Sequence, residues 1–520
     1  MKKNTILALL GCSMILAGCS LDLDPIAKYS DVTEGVSTDV PFPDKTSVQT
    51  HFETMITGIR EGEHFHQDLL LLSEIHTDNA YSGNEGGAPP AFDKNDVADM
   101  MSKPPLQRDW NRRYNNIALA NKVINTIDLA TDETFTQEER ESYKSQALIY
   151  RAMLYYDLAQ MWGSVPIVII DGGDITAENI ADAYDKYFPT QNTEEEVYRQ
   201  IEEDLLKALP NAPVDNSNKM LFSKGLAYTL LAHIYCDNTP LRDYDKVIEY
   251  ADEVAKLGFD LVDDFSDLFG VKLQDPKKEG GPDNLAIDAK ARNTKEGILE
   301  IQYTANTPRG NFNRQIFGLL WDTWTPVNFA NWVLPSHDLI DLFEQESGDK
   351  RYAESVHYYG GTQIGFKPPR DWGYSLDHYP HMFKHRSNYN SNIRYRYADV
   401  LLLKAEACIR KSSPDLPTAI SILNRIRKRA GLSDLPASKT GSKEALWEAY
   451  KVERRKELVF EGFRMNDLTR WEEFETVMNN FVDNDPYARN TNRFTKVHYK
   501  FPIQNAVLSG NESLKQIEGY

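Results

Sequence analysis

The stretch YADVLLLKAEACIRKSSPDLPTAISILNRIRKRAG, Tyr397 to Gly431, decides how this chain folds. Ala398, Leu401, Leu402, Ala405 and Cys408 recur at spacings of three and four, and so do Ala419, Leu423, Ile426 and Ala430. Such spacing places each set on one face of a helix, and two consecutive helices make a hairpin. The same design occupies Gly225 to Phe259, where Ala227, Leu230, Leu231, Ile234 and Tyr235 lie on a first helix. Val247, Ala251 and Val254 face back from a second, across the joint Asn238-Thr239-Pro240. Upstream, Ala147, Tyr150, Leu154, Leu158 and Met161 predict a helix over 139–162, with Thr136 and Glu139 as a capping box and Gly163 and Pro166 as the stop. Thr193 and Glu196 open another before Val197, Ile201, Leu205 and Leu209.

Hairpins of about 35 residues with small side chains at close contacts, such as Ala232 and Ala405, are similar to the tetratricopeptide repeat. Leu231-Ala232-x-x-Tyr235 is the best match. Stacked hairpins bury one continuous seam, because no single hairpin covers its own apolar face. The expected fold is mainly α: a tetratricopeptide-like helical-hairpin superhelix with an irregular, loop-rich insertion. A plain helical bundle is the alternative. The insertion is read at 256–392, which holds 12 of the 29 glycines, 8 of the 25 prolines and 4 of the 8 tryptophans and so disfavours long helices. It divides an N-terminal helical part, 45–255, from a C-terminal one, 393–520. The loop Asp78 to Pro105 is similar in character.

At the start, Lys2 and Lys3 precede an apolar run, Ile6 to Leu16, too short to span a membrane, and small residues before a cysteine. This is an export signal. Leu16-Ala17-Gly18-Cys19 resembles a bacterial lipobox, which makes 1–18 the signal peptide, Cys19 the lipidated residue and 19–44 a tether; an ordinary secretory site beside a chance cysteine is the alternative. Ser20-Leu21-Asp22-Leu23-Asp24-Pro25 resembles the acidic signals that send Bacteroidota lipoproteins to the cell surface. Removing 1–18 takes two lysines and no acids from 58 bases and 78 acids, leaving a formal charge of −22. A body this acidic repels a polyphosphate backbone and anionic lipid, so no nucleic acid is expected and acyl chains must hold the protein. Cys236 and Cys408 fall in helical patterns and read as buried thiols.

Longer strings point to a family. Tyr395 to Ala407, Leu423 to Gly431, ERRKELVFEGFRMNDLTRW at Glu453 to Trp471, and the ending Phe501-Pro502-Ile503-Gln504 with Asn511, Leu514 and Gly519-Tyr520 resemble the C-terminal signature of SusD/RagB outer-membrane nutrient-binding lipoproteins. Trp110, Tyr114, Asn115, Asn121, Arg151 to Tyr156 and Gly163-Ser164-Val165-Pro166 fit that family's N-terminal half, while 260–390 matches nothing. The resemblance implies a starch-binding-like surface glycan-binding lipoprotein of a polysaccharide-utilization system. Anchored in the outer membrane, it would capture oligosaccharides and deliver them to a SusC-like TonB-dependent transporter. Peptide uptake, as in RagB-like relatives, is the alternative cargo. A surface glycosidase and a purely structural scaffold are the readings from other classes.

A sugar ring has an apolar C–H face and a hydroxyl rim, so its site offers flat rings beside amides and carboxylates. Trp321, Trp324 and Trp332 share a segment with Asp322, Asn328 and Asn331 and are the first candidates. Asp78, Asn79 and Tyr81 form a second wall, because in SusD-like proteins an N-terminal loop and the middle insertion converge on the ligand. Trp372, with Tyr374, is a third; Trp110, Trp162, Trp447 and Trp471 read as core. In the signature, Glu453, Arg454, Arg455, Glu457, Glu461 and Arg464 lie three or four apart and read as ion pairs along a helix, extended by Asp467 and Arg470, with no catalytic role. His64 with His66 and His381 with His385 lack a third ligand, so no metal is expected. No nucleophile elbow, phosphate loop or dinucleotide fingerprint occurs, and neither catalysis nor a cofactor is expected.

Overall fold

Helices form where the periodicity places them. The computed structural model describes residues 40–60, 71–83, 85, 87–170, 188–214, 216–269, 271–273, 285–287, 291–303, 319–320, 325–326, 332–359, 368–385, 391–489 and 492–520. Cys19, His64, His66, Trp321, Trp324 and Asn328 lie outside the described residues. Before the insertion come Lys45–Arg60 (α1), Pro104–Thr126 (α2), Gln137–Trp162 (α3), Glu194–Ala208 (α4), Lys224–Cys236 (α5) and Tyr244–Lys256 (α6). After it come Tyr397–Arg410 (α7), Leu416–Arg429 (α8), Lys443–Leu458 (α9), Arg464–Arg470 (α10) and Phe474–Asn484 (α11). Both expected capping boxes are present: the Glu139 carboxylate accepts from Thr136 N at 3.1 Å and that of Glu196 from Thr193 N at 2.8 Å, while each threonine hydroxyl accepts from the glutamate N–H. Gly163, at φ +70°, ends α3 in a conformation that a side chain would disfavour.

Each helix packs on the next, from α1 through α8, and α9 lies against both α7 and α8. Nearest-neighbour stacking of this kind is what hairpins with one apolar face must do. The seam between α6 and α7 closes although residues 257–396 separate them, with Lys411 paired to Asp245 at 2.5 Å and Lys404 paired to Asp252. The insertion therefore leaves and rejoins the stack between two adjacent helices. Val247, Ala251 and Val254 of α6 and Leu402 and Ala405 of α7 are buried along this seam.

Strands are short and antiparallel. Ala80–Tyr81 (β1) pairs with Leu334–Pro335 (β3), Gly297–Ile301 (β2) with Asn392–Arg396 (β6), and Val356–Tyr359 (β4) with Tyr379–Met382 (β5). Strand β6, at the boundary of the insertion, runs directly into α7 and sets the entry of the second helical part.

The signature residues are buried ion pairs, but they pair across elements more than along one helix. Glu453 meets Arg351 at 2.9 Å and Arg427 at 2.5 Å; Arg454 meets Asp399 at 3.0 Å and Asp467 at 2.8 Å. Glu457 meets Arg396 at 2.6 Å, and Glu461 bridges Arg396 at 2.7 Å and Lys384 at 2.6 Å. The reason is enclosure: α9 is surrounded by α7, α8 and the insertion, so a charge on it must find its counter-charge on whichever neighbour covers it. Burial would raise Glu406 and Glu457, yet the guanidinium groups of Arg470 on one and Arg429 and Arg396 on the other hold both at about 2. Cys236 and Cys408 are free, buried thiols, and burial pushes Cys408 up to about 11.

Candidate functional site

The pairing of β1 with β3 is where the N-terminal loop and the insertion meet. Register places Ala80 opposite Pro335 and Tyr81 opposite Leu334. The joint is reinforced on its inner side, where the Ser336 hydroxyl donates to the Asp78 carbonyl at 2.6 Å and Ser336 N to the Asn79 carbonyl at 3.0 Å. A π-helical turn, Leu71–Ile75, delivers the loop, and its buried Glu74 accepts from Asn79 Nδ2 at 2.8 Å and from Gly462 N at 3.1 Å. Burial raises the Glu74 carboxyl to about 7 against those donors. The loop is thereby tied to the turn that follows α9.

These contacts place the residues of the expected second wall inside the joint. Asp78, Asn79 and Tyr81 are all buried, and each is already occupied. Asp78 receives Arg464 at 2.7 Å and Arg455 at 3.2 Å; burial would raise it, but the two guanidinium groups hold it at about 2. Asn79 Oδ1 accepts from Arg455 at 2.7 Å. The Tyr81 hydroxyl donates to Asp485 at 2.5 Å and accepts from His337 N at 3.1 Å. Trp372, only 1% exposed, stacks on Tyr81 with centroids 5.1 Å apart, and Arg370 and Arg489 press on its ring. The charged and amide groups went inward because the arginines of the signature needed partners once water was excluded. Asp78, Asn79, Tyr81 and Trp372 hold the wall rather than present it.

What they hold is a set of half-buried rings. His337 stacks on Tyr374 with centroids 4.1 Å apart and lies 4.7 Å from Tyr487. Its Nε2 bonds the Trp372 carbonyl at 2.8 Å, and the Tyr374 hydroxyl donates to the Pro335 carbonyl at 2.8 Å, so both rings are fixed to β3 and to the Trp372 loop. Gly373, at φ +76°, lets the Tyr487 hydroxyl occupy the space where a Cβ would stand. Trp332 enters the same joint beside Gly87 and is partly exposed. On the flank, Tyr358 of β4 stacks on the exposed His378 at 3.9 Å and 3° between planes, and its hydroxyl lies 2.6 Å from that of Tyr352. Trp332 and Tyr374 stood out in the sequence; His337 and Tyr487 did not, because no spacing links residue 487 to the insertion.

Trp110, Trp162 and Trp471 are buried and Trp447 is half-buried, as core residues should be. His381 and His385 are buried, with His385 Nε2 at 2.9 Å from the Phe460 carbonyl. Among the described residues no group of three or more His, Cys, Asp or Glu side chains is placed to hold a metal, and no helix is long and apolar enough to cross a membrane.

Comparison with known proteins follows the same outline. A model of the SusD family matches residues 370–520, and one described as starch-binding, associating with the outer membrane, matches residues 34–236. SusD-like protein P2 of Formosa agariphila is 25% identical over 493 residues, covering 90% of each chain. A SusD-like protein of Bacteroides fragilis superposes with a TM-score of 0.70 at 21% identity, over 93% of this chain and 99% of that one. A laminarin-binding SusD-like protein does so with a TM-score of 0.68 at 19% identity, over 92% and 100%.

Proposed function

The chain belongs to the SusD/RagB family, and on that premise we propose that it is a cell-surface protein that captures oligosaccharides and hands them to a SusC-like TonB-dependent transporter. The observation that carries the cargo is the wall of half-buried rings at the β1–β3 joint. Trp332, His337, Tyr374 and Tyr487 are half-buried rings, and backbone bonds fix those of His337 and Tyr374, so a sugar that stacks at their edge does not first have to order these two. A neighbour of this fold that binds laminarin supports the same chemistry. Trp321, Trp324 and Asn328 belong to the proposal as further ligand contacts on the same insertion. Cys19 belongs to it as the lipidated residue that holds the protein at the outer membrane. The protein itself binds without cleaving, and hydrolysis falls to separate enzymes.

Titration calorimetry against plant, host and microbial oligosaccharides tests the cargo. Binding of at least one is expected, with quenched tryptophan fluorescence and about a tenfold loss on Tyr374→Ala, since base-free ring stacking is worth roughly 1 kcal/mol or more. Binding of peptide pools with no glycan response would replace the cargo and leave the fold untouched. Release of reducing sugar by the purified protein would refute the absence of catalysis. Cys19→Ser should release the protein from the membrane fraction.

A further inference from the structure

The rings of the wall differ in what their polar atoms do. The Tyr374 hydroxyl is spent on the Pro335 carbonyl, the hydroxyls of Tyr352 and Tyr358 bond each other, and the Trp332 N–H is enclosed. His337 is different. Its Nε2 lies 2.8 Å from the Trp372 carbonyl, which can only accept, so Nε2 carries the hydrogen and Nδ1 of the uncharged ring is left as a lone-pair acceptor. Tyr487, whose ring centroid lies 4.7 Å from that of His337, keeps a hydroxyl that can donate or accept. Among the described residues neither His337 Nδ1 nor the Tyr487 hydroxyl has a hydrogen-bond partner, and neither atom is enclosed, although both side chains are half-buried.

Both rings are fixed from behind. Tyr374 stacks on His337 at 4.1 Å while the Trp372 carbonyl ties the far edge of the imidazole. Tyr487 N donates at 2.8 Å to Asp485, the same carboxylate that takes the Tyr81 hydroxyl. A Cβ at residue 373 would collide with the Tyr487 hydroxyl, so Gly373 admits that ring to the wall. We infer that His337 Nδ1 and the Tyr487 hydroxyl are the hydrogen-bonding edge of this site, so that its ligand is a sugar chain with free hydroxyl groups and a chain capped as ethers or esters is rejected. The inference rests on the carbohydrate reading above. Stacking alone is indifferent to capping, whereas a site with a fixed acceptor beside a hydroxyl leaves both unpaired when the ligand brings no donor.

The probes are hexasaccharides from laminarin, starch and mannan and the same chains fully O-methylated, which keep their C–H faces and lose every hydroxyl donor, titrated into the full-length protein. The native chain that binds should exceed its methylated counterpart by about tenfold. In His337→Gln the amide N–H can still reach the Trp372 carbonyl while no acceptor stands at the Nδ1 position, and the preference should fall to about threefold. Tyr487→Phe keeps the ring and should do the same. An unchanged preference in both variants would overturn the assignment, because bulk and stacking would then account for it. Equal loss of native and methylated chains in both variants would overturn it too, by reducing the two side chains to support of the wall. Equal binding of the two chains by the unmodified protein would overturn the selection and leave the carbohydrate reading in place. If no native hexasaccharide binds, the carbohydrate reading itself falls and the assignment falls with it.

Discussion

Glu74 carries a carboxyl into the interior among neutral donors, Asn79 Nδ2 and the Gly462 and Phe460 backbone N–H groups, and Lys384 acts from farther off. Its folded value of about 7 lies above the ordinary 4.5. The folded state therefore holds a proton that the unfolded state has already released between those limits, and stability falls as pH rises through that window. The shift corresponds to ~3 kcal/mol lost by pH 8. His76, lowered by burial to about 4, runs the opposite way, so the unmodified protein shows only the resultant. Glu74→Gln isolates the effect: denaturant unfolding at pH 5.5 and 8 should show the variant gaining on the unmodified protein as pH rises. A constant difference between the two would place the charge elsewhere. The residue matters for the site because Glu74 ties the β1 loop to the turn after α9, where Phe460 takes a positive φ of 63°.

At the scale of elements, two joints differ in how they are held. The starts of α3 and α4 rest on local hydrogen bonds three residues apart, so Thr193→Ala should cost ~1 kcal/mol in thermal or chemical unfolding and nothing in binding. The β1–β3 joint rests on partners far apart in the chain, Asp78 with Ser336, Arg455 and Arg464. Asp78→Asn removes the charge that faces two part-buried guanidinium groups, of which Arg455 keeps Asp338 and Arg464 is left without its carboxylate, and losing a largely buried counter-charge costs up to several kcal/mol. Because the same joint carries the rings, Asp78→Asn should lower both the unfolding midpoint and glycan affinity, whereas Thr193→Ala lowers the midpoint alone. Measuring both quantities on both variants separates a wall that is merely attached from one whose geometry depends on its support.

For the whole molecule, the buried charges act as cross-links among parts that the chain brings together late. Arg396 at the end of β6 reaches Glu296 at 2.7 Å, Glu457 at 2.6 Å and Glu461 at 2.7 Å, joining the insertion to α9 and the turn after it. Replacing Arg396 with Met leaves Glu296 and Glu457 to share Arg429 and Glu461 to Lys384, one positive charge short in a dry interior, and should cost roughly 3–5 kcal/mol, read as a fall in the urea midpoint. Recovery on adding Glu457→Gln would show that the cost lies in the excess negative charge.

The helical hairpins, their caps and the irregular character of the insertion were legible in the chain, because apolar period and capping side chains act over three or four residues and depend on little else. Burial of the signature charges was legible as pairing, but the identity of the partners was not, since Arg351, Arg396 and Arg427 approach α9 from elements far away in sequence. The same limit governs the site. The family resemblance implied that the insertion and the loop at Asp78 to Tyr81 converge, while only the tertiary structure decided that Asp78, Asn79, Tyr81 and Trp372 are buried and that His337, Tyr374 and Tyr487 remain half-buried beside them. Whether a polar or aromatic group presents or supports a surface depends on which distant arginine or ring needs it as a partner once water is gone, and that is set by packing rather than by neighbours along the chain.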